Sequence, residues 1–564
     1  MRSDSIHNKI EFFFYSLLSG ILLGLGWPTN GNPFLLFIAF IPLLYVEEQL
    51  FKTNDYFSLL SIFLLSFSAF LTWNAISTWW LSYAKRPNGS FATEAYLAPV
   101  ILNAFFMSVV FTFYSWIKKH VKSKKIGYVF LVCIWISFEK MHLEWELSWP
   151  WLNLGNGFSN RIEWIQWYEY TGILGGTVWI WMVNIGFINS IIKYQENKNV
   201  LFFYKNILFN IGKIFLLILI SNYIYLKYIY LKNEEKKKGR TVDVLILQPN
   251  INPYNQKYKM STERLIFLLK ELIDKKIGNN SFIVAPETTF PGNEIKIFIK
   301  DLKKNRIIIS GFRNYLKKVS PKTVFITGIE LFDLYKKENR SKTSNPIFFK
   351  NENNIQWIDI YNSIIQIGTY KDDVVIHHKS KLVPAVETFP YKRFLFPILG
   401  NILLNFGGSI MEHGKQNDPH SVFLHPFLKV KFAPIICYES VFGEYVSQFF
   451  KRNAEFMVII TNDAWWGVSQ GYQQHLYYAR LRAIENRKYI VRSANTGVSC
   501  FIDEKGEIVS SIPYGIEGVL SKKIFINKNQ TFYIKYGDYI SKISLLLSII
   551  IILYTFMYMV CINK

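Results

Sequence analysis

The sequence predicts a protein of two parts, a polytopic α-helical membrane domain of about eight transmembrane helices and a soluble domain of α/β type. The chain has 564 residues, of which 50% are hydrophobic and 17% aromatic. It is therefore too long for one ordinary domain and too apolar to be wholly soluble. Apolar runs fill residues 1–231 and return at residues 536–564, whereas short strands alternate with helical segments in residues 232–535. We expect an N-terminal transmembrane domain, a soluble domain and a C-terminal transmembrane helix with these bounds.

Each predicted span is an apolar run suited to crossing roughly 30 Å of hydrocarbon. The turn sequence P-T-N-G-N separates the first two runs and predicts a tight helical hairpin. The fifth run is the shortest and can extend toward Trp145. The first run lacks a small-residue cleavage site and leads straight into the second, so we expect no cleaved signal peptide. The predicted spans are Ile10–Trp27, Pro33–Tyr45, Tyr56–Ser77, Ala95–Ile117, Ile126–Phe138, Gly172–Ile192, Ile207–Leu231 and Ile540–Cys561.

Lysines in a short loop predict the orientation of the chain, because Lys and Arg stay on the cytoplasmic side. The densest cluster follows the fourth span and places that loop and the N-terminus inside. The stretch Glu144–Glu169 and the soluble domain then lie outside. The flanking sequence E-E-K-K-K-G-R counts against this, but large domains cross largely regardless of charge. The cluster consists of Lys118, Lys119, Lys122, Lys124 and Lys125.

Composition argues against nucleic-acid binding and against a metal site. The formal net charge is +23, but no basic motif interleaved with aromatics accompanies it. The four cysteines are scattered, with neither a disulfide framework nor CxxC spacing. His377 and His378 point to opposite faces of a predicted strand, so we interpret them as structural. We interpret Cys500 as a core residue.

The soluble domain is predicted to be layered, with reactive groups at the ends of strands. Helical segments such as Ser261–Lys275 and Gln473–Asn486 lie between the strands. The predicted strands are Val242–Gln248, Phe282–Ala285, Arg306–Phe312, Val324–Gly328, Ser363–Ile367, Phe432–Cys437, Phe456–Thr461 and Tyr489–Ser493.

In three segments of this domain, an apolar strand is followed by a side chain that can act as a base, a cation or a nucleophile. F-I-V-A-P-E carries Glu287, H-H-K-S-K carries Lys379 and Lys381, and A-P-I-I-C-Y-E-S carries Cys437. Taken singly, each has a simpler interpretation as an exposed turn glutamate, a solvated lysine or an inert core thiol. Together a base, a cation and a thiol make a complete acyl-transfer apparatus.

The order of these residues and their local sequences resemble the nitrilase superfamily, whose Glu-Lys-Cys triad sits on an αββα sandwich. Joined to N-terminal spans and one C-terminal span, the chain resembles the apolipoprotein N-acyltransferase family over nearly its whole length. The motifs that carry the resemblance are P-E-T, H-K-S-K-L-V-P-x-x-E-x-F-P, I-C-Y-E, T-N-D-A-W-W-G and Q-H-x-x-x-A-R-x-R-A-I-E.

The resemblance implies a role for each matching residue. Glu287 matches the general base, Lys379 rather than Lys381 the triad lysine, and Cys437 the acylated nucleophile. Six further residues of this chain match family residues that shape or flank the site: Glu387, Tyr438, Glu439, Trp465, Trp466 and Gly467. One departure is Tyr258, where the family often has Trp after Lys, and a Tyr keeps an aromatic wall there.

The resemblance further implies ping-pong transfer of a fatty acyl chain. The donor would be a phospholipid, the intermediate a Cys437 thioester, and the acceptor the α-amine of a lipoprotein's N-terminal diacylglyceryl-cysteine. Neither a metal nor a diffusible cofactor is expected. The expected location is the bacterial inner membrane, with the soluble domain on the periplasmic side.

Two apolar stretches suggest how lipid reaches the site. Tyr391–Gly408 is too short and interrupted to span, so we predict a mobile membrane-facing arm that carries Phe394 and Phe396. Its glycines at 400, 407 and 408 would serve as hinges, and a helix packed in the core is the alternative. The stretch Trp145–Trp167 is interpreted mainly as an interfacial belt, with the lining of a lipid path as the alternative.

Two other functions compete. A membrane-tethered amidase would use the same triad to hydrolyse a small C–N substrate, but it would leave the spans and the apolar arm without a use. A non-catalytic scaffold would be expected to lack at least one of Glu287, Lys379 and Cys437, and all three are present.

Overall fold

A computed structural model describes residues 2–52, 58–86, 89–278, 280–292, 296–347, 355–370, 374–394 and 412–562. These form two compact units. The membrane unit comprises the described residues of Met1–Ser82, Thr93–Tyr228 and Tyr536–Lys564, and the α/β unit those of Tyr83–Ala92 and Ile229–Lys535. The short segment Tyr83–Ala92 thus belongs to the second unit, although it lies between two predicted spans.

Long apolar helices make up the membrane unit. Within the described residues, seven helices are long and apolar enough to cross a membrane. In the part of the chain that the structure describes, the α-helices of both units are α1 Arg2–Leu25, α2 Ile41–Lys52, α3 Ser58–Thr78, α4 Glu94–His120, α5 Lys124–Glu144, α6 Tyr168–Thr171, α7 Ile173–Asn197, α8 Val200–Lys238, α9 Thr262–Asp274, α10 Gly311–Val319, α11 Gly443–Lys451, α12 Gln470–Asn486, α13 Phe532–Tyr536 and α14 Tyr539–Ile562.

The predicted spans correspond to these helices. Each of the last seven coincides with a helical segment of membrane-crossing length, the second being Pro33–Lys52, a 3₁₀ turn followed by α2. The helix α1 covers most of the first predicted span, Ile10–Trp27. The short fifth run extends to Glu144, as the sequence allowed. Trp151 and Trp167 are buried within the unit rather than displayed on its surface, at 4% and 7% exposure.

A buried charge cluster joins three helices of the membrane unit. Lys118 Nζ, near the end of α4, lies 2.6 Å from Glu47 Oε2 and 2.8 Å from Glu48 Oε2, at the end of α2. Lys124, the first residue of α5, also contacts Glu48. The C-terminal ends of α2 and α4 and the start of α5 therefore lie together, as alternating spans require.

The described residues of the α/β unit form two sheets. The strands are β1 Thr241–Gln248, β2 Phe282–Val284, β3 Val324–Tyr335, β4 Asn345–Ile347, β5 Gln356–Ile367, β6 Val375–His378, β7 Phe423–Leu424, β8 Lys431–Ile436, β9 Phe456–Thr461, β10 Ile490–Ala494, β11 Ser499–Ile502, β12 Ile508–Ile512 and β13 Gly518–Phe525. The first sheet has the order β13-β1-β2-β3-β5-β4, with β6 on β5, and the second the order β12-β11-β10-β9-β8-β7. The central strands β1-β2-β3 and β8-β9-β10 run parallel within their sheets.

Alternation along β1 shows how the layers form. Val244 and Ile246 face the second sheet and pack in one core with residues of β8 and β9. Leu245 and Leu247 face the opposite way, into a second core with residues of α9 and α10. A strand apolar on both faces is typical of a covered parallel sheet. The unit is therefore an αββα sandwich, and the predicted fold class is confirmed.

One predicted strand is wrong. The segment Arg306–Phe312 forms a helical turn that continues into α10. The run of three isoleucines favours a strand locally. Ile308, Ile309, Phe312 and Leu316, however, recur at helical spacing and bury one face in the core beneath α9. Burial of that face overrides the local β preference.

Candidate active site

Three of the predicted site residues meet in a buried polar cluster. Lys379 Nζ lies 2.8 Å from Glu387 Oε1 and 3.3 Å from Glu287 Oε1. Glu287 follows β2 and Lys379 follows β6, so both come from strand ends of the first sheet. Their side chains are at most 11% exposed, which keeps the ion pairs out of water.

Asn362 of β5 completes this cluster and was missed in the sequence. Its Nδ2 donates to Glu287 Oε1 at 2.8 Å and to Glu387 Oε1 at 3.2 Å. Its backbone carbonyl accepts from the Lys379 N–H at 2.8 Å. One residue therefore holds both carboxylates through its side chain and the lysine segment through its backbone carbonyl.

The cluster holds Lys379 and Glu387 charged. Burial alone would lower the pKa of the Lys379 ammonium, but the Glu387 and Glu287 carboxylates outweigh it and raise that pKa well above its usual range. Burial would raise the pKa of Glu387, but Lys379 outweighs this and lowers it. A fixed ammonium faces two carboxylates, which is an arrangement suited to placing a cation and a base beside a reacting group.

Cys437 lies at a strained turn immediately after β8. Its φ is +48°, in the left-handed region that non-glycine residues seldom adopt. Burial raises the pKa of its thiol far above the usual range, the Glu287 carboxylate adds to that rise, and the Lys379 ammonium opposes it. The thiol is therefore protonated at neutral pH and needs a base in order to react.

Glu439 ties the Lys379 segment to the Cys437 turn. Its Oε1 accepts from the Ser380 N–H at 2.6 Å, and its Oε2 from the Ile436 N–H at 2.9 Å. The residue after the lysine and the residue before the cysteine are thus held by one fully buried carboxylate. The resemblance assigned Glu439 a site-shaping place, and these contacts show how it connects the two sheets.

A second lysine near the cluster was also missed. Lys257 is 3% exposed, and its Nζ contacts Thr288 Oγ1 and lies 3.4 Å from the Glu287 carbonyl oxygen. Burial lowers the pKa of Lys257 to about 8, although the charges of Glu287, Glu330 and Cys437 counteract this. The local sequence marks it only as the lysine that precedes Tyr258, and nothing there indicates that it is buried beside Glu287.

Gly328 of β3 lets the Glu287 turn approach the sheet. A Cβ at this position would meet Thr288 N at 2.4 Å and Glu287 Cα at 2.7 Å. Both contacts are with backbone atoms, which cannot swing aside as a flexible side chain can. Glycine is therefore required here to seat Glu287.

The other predicted site residues are less closely joined to the cluster. Tyr438 is buried and packs against Phe442 with ring centroids 5.1 Å apart, whereas Tyr258 is 44% exposed. Trp465 packs against Tyr254, with ring centroids 5.4 Å apart, and Trp466 lies near a histidine of α12.

The predicted arm stays largely a prediction. Phe394 is described and is 70% exposed, but Phe396 and residues 395–411 lie outside the described part of the chain. His377 and Cys500 are buried in strands, as interpreted. Among the described residues, no group of three or more His, Cys, Asp or Glu could hold a metal ion.

Comparison with known proteins identifies the class of domain to which the α/β unit belongs. The carbon-nitrogen hydrolase family model matches residues 346–530, which lie in the αββα unit and include Lys379 and Cys437. This unit is therefore a carbon-nitrogen hydrolase domain, the nitrilase-like class that the sequence resembles. A second model, the apolipoprotein N-acyltransferase N-terminal domain, matches residues 19–186 of the membrane unit.

Full-length relatives define the family. The apolipoprotein N-acyltransferase of Chlorobaculum tepidum is 26% identical over 544 residues, covering 94% of each chain. That of Thermotoga maritima is 24% identical over 543 residues, covering 95% of this chain and 92% of the relative. The chain belongs to the apolipoprotein N-acyltransferase family, whose members are acyltransferases.

Among solved structures, Saccharomyces cerevisiae Nit3, described as a member of branch 10 of the nitrilase superfamily, is 16% identical to the chain. The alignment covers 51% of this chain and 90% of that one, with a TM-score of 0.33.

Proposed function

We propose that the chain transfers a fatty acyl group from a phospholipid to the α-amine of the N-terminal diacylglyceryl-cysteine of lipoproteins, through a thioester on Cys437. The observation that carries the proposal is the buried cluster of Lys379 with Glu287, joined through Glu439 to the Cys437 turn. The membrane unit supports a lipid donor, because drawing an acyl chain into water would cost about 0.8 kcal/mol per CH₂.

In the first half-reaction, Glu287 accepts the thiol proton as the sulfur attacks the ester carbonyl of the phospholipid. The Lys379 ammonium and a backbone N–H stabilise the oxyanion. The carbonyl–oxygen bond to glycerol then breaks, and the proton held by Glu287 passes to that oxygen. The products are lysophospholipid and the Cys437 thioester. The raised pKa of the thiol is why a base must act during attack rather than before it.

In the second half-reaction, the acceptor amine attacks the thioester carbonyl. Glu287 takes the amine proton, the C–S bond breaks, and the proton returns to the Cys437 sulfur. An amide forms and the resting thiol is regenerated. No other reactant is consumed.

We also propose that the α/β unit lies on the periplasmic side of the bacterial inner membrane. The lysines after α4 support a cytoplasmic position for that loop. Glu47 and Glu48, which pair with Lys118, reduce the net positive charge at this end of the helices. Acidic residues, however, contribute little to orientation. The C-terminal ends of α2 and α4 lie beside the start of α5. This supports spans that cross the membrane in alternating directions, which the proposed orientation requires.

Intact-mass spectrometry of the purified full chain in phospholipid micelles tests the proposed function. We expect one fatty-acyl adduct on the protein, followed by its loss when a diacylglyceryl-cysteine peptide is added and appears as the N-acyl amide. If the folded protein forms no adduct from phospholipid, the lipid donor is wrong. In that case the rival membrane-tethered amidase is favoured, whereas acyl release to water alone, with no amide, would make water rather than the amine the acceptor.

Lys257 predicts a pH dependence of the first half-reaction. Because its pKa is about 8, the ammonium loses its charge as pH rises through 8, and the support it gives to the nearby sulfur anion is lost. The wild-type acylation rate is therefore expected to fall above about pH 8. Lys257→Met should be slower by on the order of tenfold and lack this fall, since one pKa unit is a factor of ten in ionised fraction.

Single-turnover acylation between pH 6 and pH 10 measures this effect. Lys257→Arg is the matched control, because arginine keeps its charge throughout this range and should extend the plateau. A wild-type fall near pH 8 that persists in Lys257→Met would assign the titration to another group.

The predicted arm gives a separate test of lipid access. Replacing Phe394 and Phe396 by alanine is expected to slow acylation from phospholipid while sparing acyl transfer from a small water-soluble thioester, because only the lipid needs an apolar path. The ratio of the two rates is the measurement. Equal loss with both donors would refute a gate for acyl chains.

A further inference from the structure

A hydroxyl group lies directly against the sulfur of Cys437. Thr461, the last residue of β9, has its Oγ1 3.2 Å from Cys437 Sγ. The strands β8 and β9 pair in parallel with Ile436 opposite Ile460, so the residues that follow each lie side by side. Thr461 belongs to the motif T-N-D-A-W-W-G, and neither proposed half-reaction uses it.

The same hydroxyl contacts a buried carboxylate. Thr461 Oγ1 lies 3.0 Å from Asp463 Oδ1, while Asp463 Oδ2 accepts from Arg492 at 2.7 Å. Burial alone would raise the pKa of Asp463, but Arg492 and His475 outweigh it and hold that pKa well below its usual range. Asp463 is therefore ionised at neutral pH and can only accept hydrogen bonds.

A threonine hydroxyl has one proton to donate, and this decides the resting arrangement. The proton of Thr461 points to Asp463, so its oxygen lone pairs face Cys437. The resting thiol then donates its S–H to Thr461. A thiolate can only accept, so the Thr461 hydroxyl must leave Asp463 and turn toward the sulfur once the thiol proton has gone.

His475 anchors the same network to the backbone of the nucleophile. Its Nδ1 lies 3.0 Å from Asp463 Oδ1, and its Nε2 lies 3.2 Å from the Cys437 carbonyl oxygen. The Nε2 atom also lies 3.0 Å from Ser440 Oγ, which itself donates to that carbonyl at 2.7 Å. The carboxylate that orients Thr461 is thus fixed relative to the strained Cys437 turn.

We infer that Thr461 is a further catalytic residue of the proposed acyl transfer, accepting from the resting Cys437 thiol and donating to its sulfur anion, and that Asp463 is the positioning residue that orients it. The inference rests on the proposed function. Thr461 keeps its own proton throughout, because the thiol proton goes to Glu287. The contacts of Thr461 change direction, and it forms and breaks no covalent bond.

Alkylation of Cys437 by iodoacetamide tests this without any lipid donor. The full chain in detergent is labelled between pH 6 and pH 10, and the peptide containing Cys437 is followed by mass spectrometry. The charged groups that act on this thiol are Glu287, Lys379, Lys257 and Asp463. All four are unchanged in Thr461→Val and in its matched control Thr461→Ser.

Thr461→Val is expected to alkylate about tenfold more slowly than wild type at pH 8, corresponding to a thiol pKa higher by about one unit, and Thr461→Ser at the wild-type rate. Asp463→Asn is expected to alkylate about tenfold faster. It removes a negative charge, and the new amide can donate to Thr461 and free its hydroxyl for the sulfur. If these residues only supported the fold, Thr461→Val and Asp463→Asn would not be expected to change the alkylation rate in opposite directions.

Two results would overturn the inference: a wild-type alkylation rate in Thr461→Val, or slower alkylation in Asp463→Asn. If Asp463→Asn does not fold, the comparison of Thr461→Val with Thr461→Ser decides the inference alone. The phospholipid adduct assay is run on the same proteins. Absence of an adduct in wild type overturns the proposed function, whereas the alkylation rates judge Thr461 independently.

Discussion

Replacing Cys437 by alanine is expected to abolish both the acyl adduct and transfer to the peptide. Without the sulfur there is no covalent intermediate, and Glu287 and Lys379 have no nucleophile to activate. We expect the rate to fall by at least about 10⁴-fold, as when other enzymes lose their nucleophile. The measurement is intact mass after incubation with phospholipid micelles, beside the wild-type protein.

Cys437→Ser provides the matched control. Serine retains a nucleophilic atom but bonds through oxygen, so any adduct would be an ester that resists neutral hydroxylamine, whereas the wild-type thioester is cleaved. A Cys437→Ala protein that still gains one acyl mass would place the nucleophile elsewhere. The buried Cys133 and Cys500 make an internal check, because their substitution by alanine should leave the adduct unchanged.

Replacing Lys379 by methionine is expected to cost both activity and stability. The ammonium lies within 3.3 Å of Glu287 and 2.8 Å of Glu387, so its removal leaves two buried carboxylates facing each other without a cation. Breaking a buried pair in this way costs about 3–5 kcal/mol. Loss of a group that stabilises the oxyanion should also slow acylation by about 10²–10³-fold.

Thermal unfolding and single-turnover acylation separate the two effects. Lys379→Met combined with Glu387→Gln removes one of the stranded charges and should recover part of the stability, but not the activity. If the double variant recovers acylation as well, Lys379 acts only by holding the fold. An acylation rate in Lys379→Met within a few-fold of wild type would contradict its proposed role.

The main candidate site residues could be singled out from the sequence because each follows a strand and because their order is typical of the nitrilase superfamily. Parallel strands place their carboxyl ends at one edge, which brings Cys437 and Thr461 together and lets Glu439 reach across to Ser380. Strand ends are visible in a sequence as a change from apolar to polar residues. The pairing of strands that makes neighbours of those ends is not.

The supporting residues were missed for a different reason. Asn362 lies within a strand, and Lys257 in a polar stretch, so neither stands out locally. Each gains its role from partners distant in sequence, such as the bond from Asn362 to Glu287. The burial of a lysine depends on tertiary packing, which no local pattern reveals. The error at Arg306–Phe312 has the same origin, because a tertiary contact overrode local preference.

The charge cluster of the membrane unit has a consequence for how the chain is made. The carboxylates of Glu47 and Glu48 and the ammonium of Lys118 are buried against each other, and each without its partners would be a costly unpaired buried charge. The helix α2 leaves the ribosome well before α4 supplies its cation. The buried ion pairs at the end of α2 therefore form only once α4 has arrived, so biogenesis couples two helices that another helix separates in the sequence.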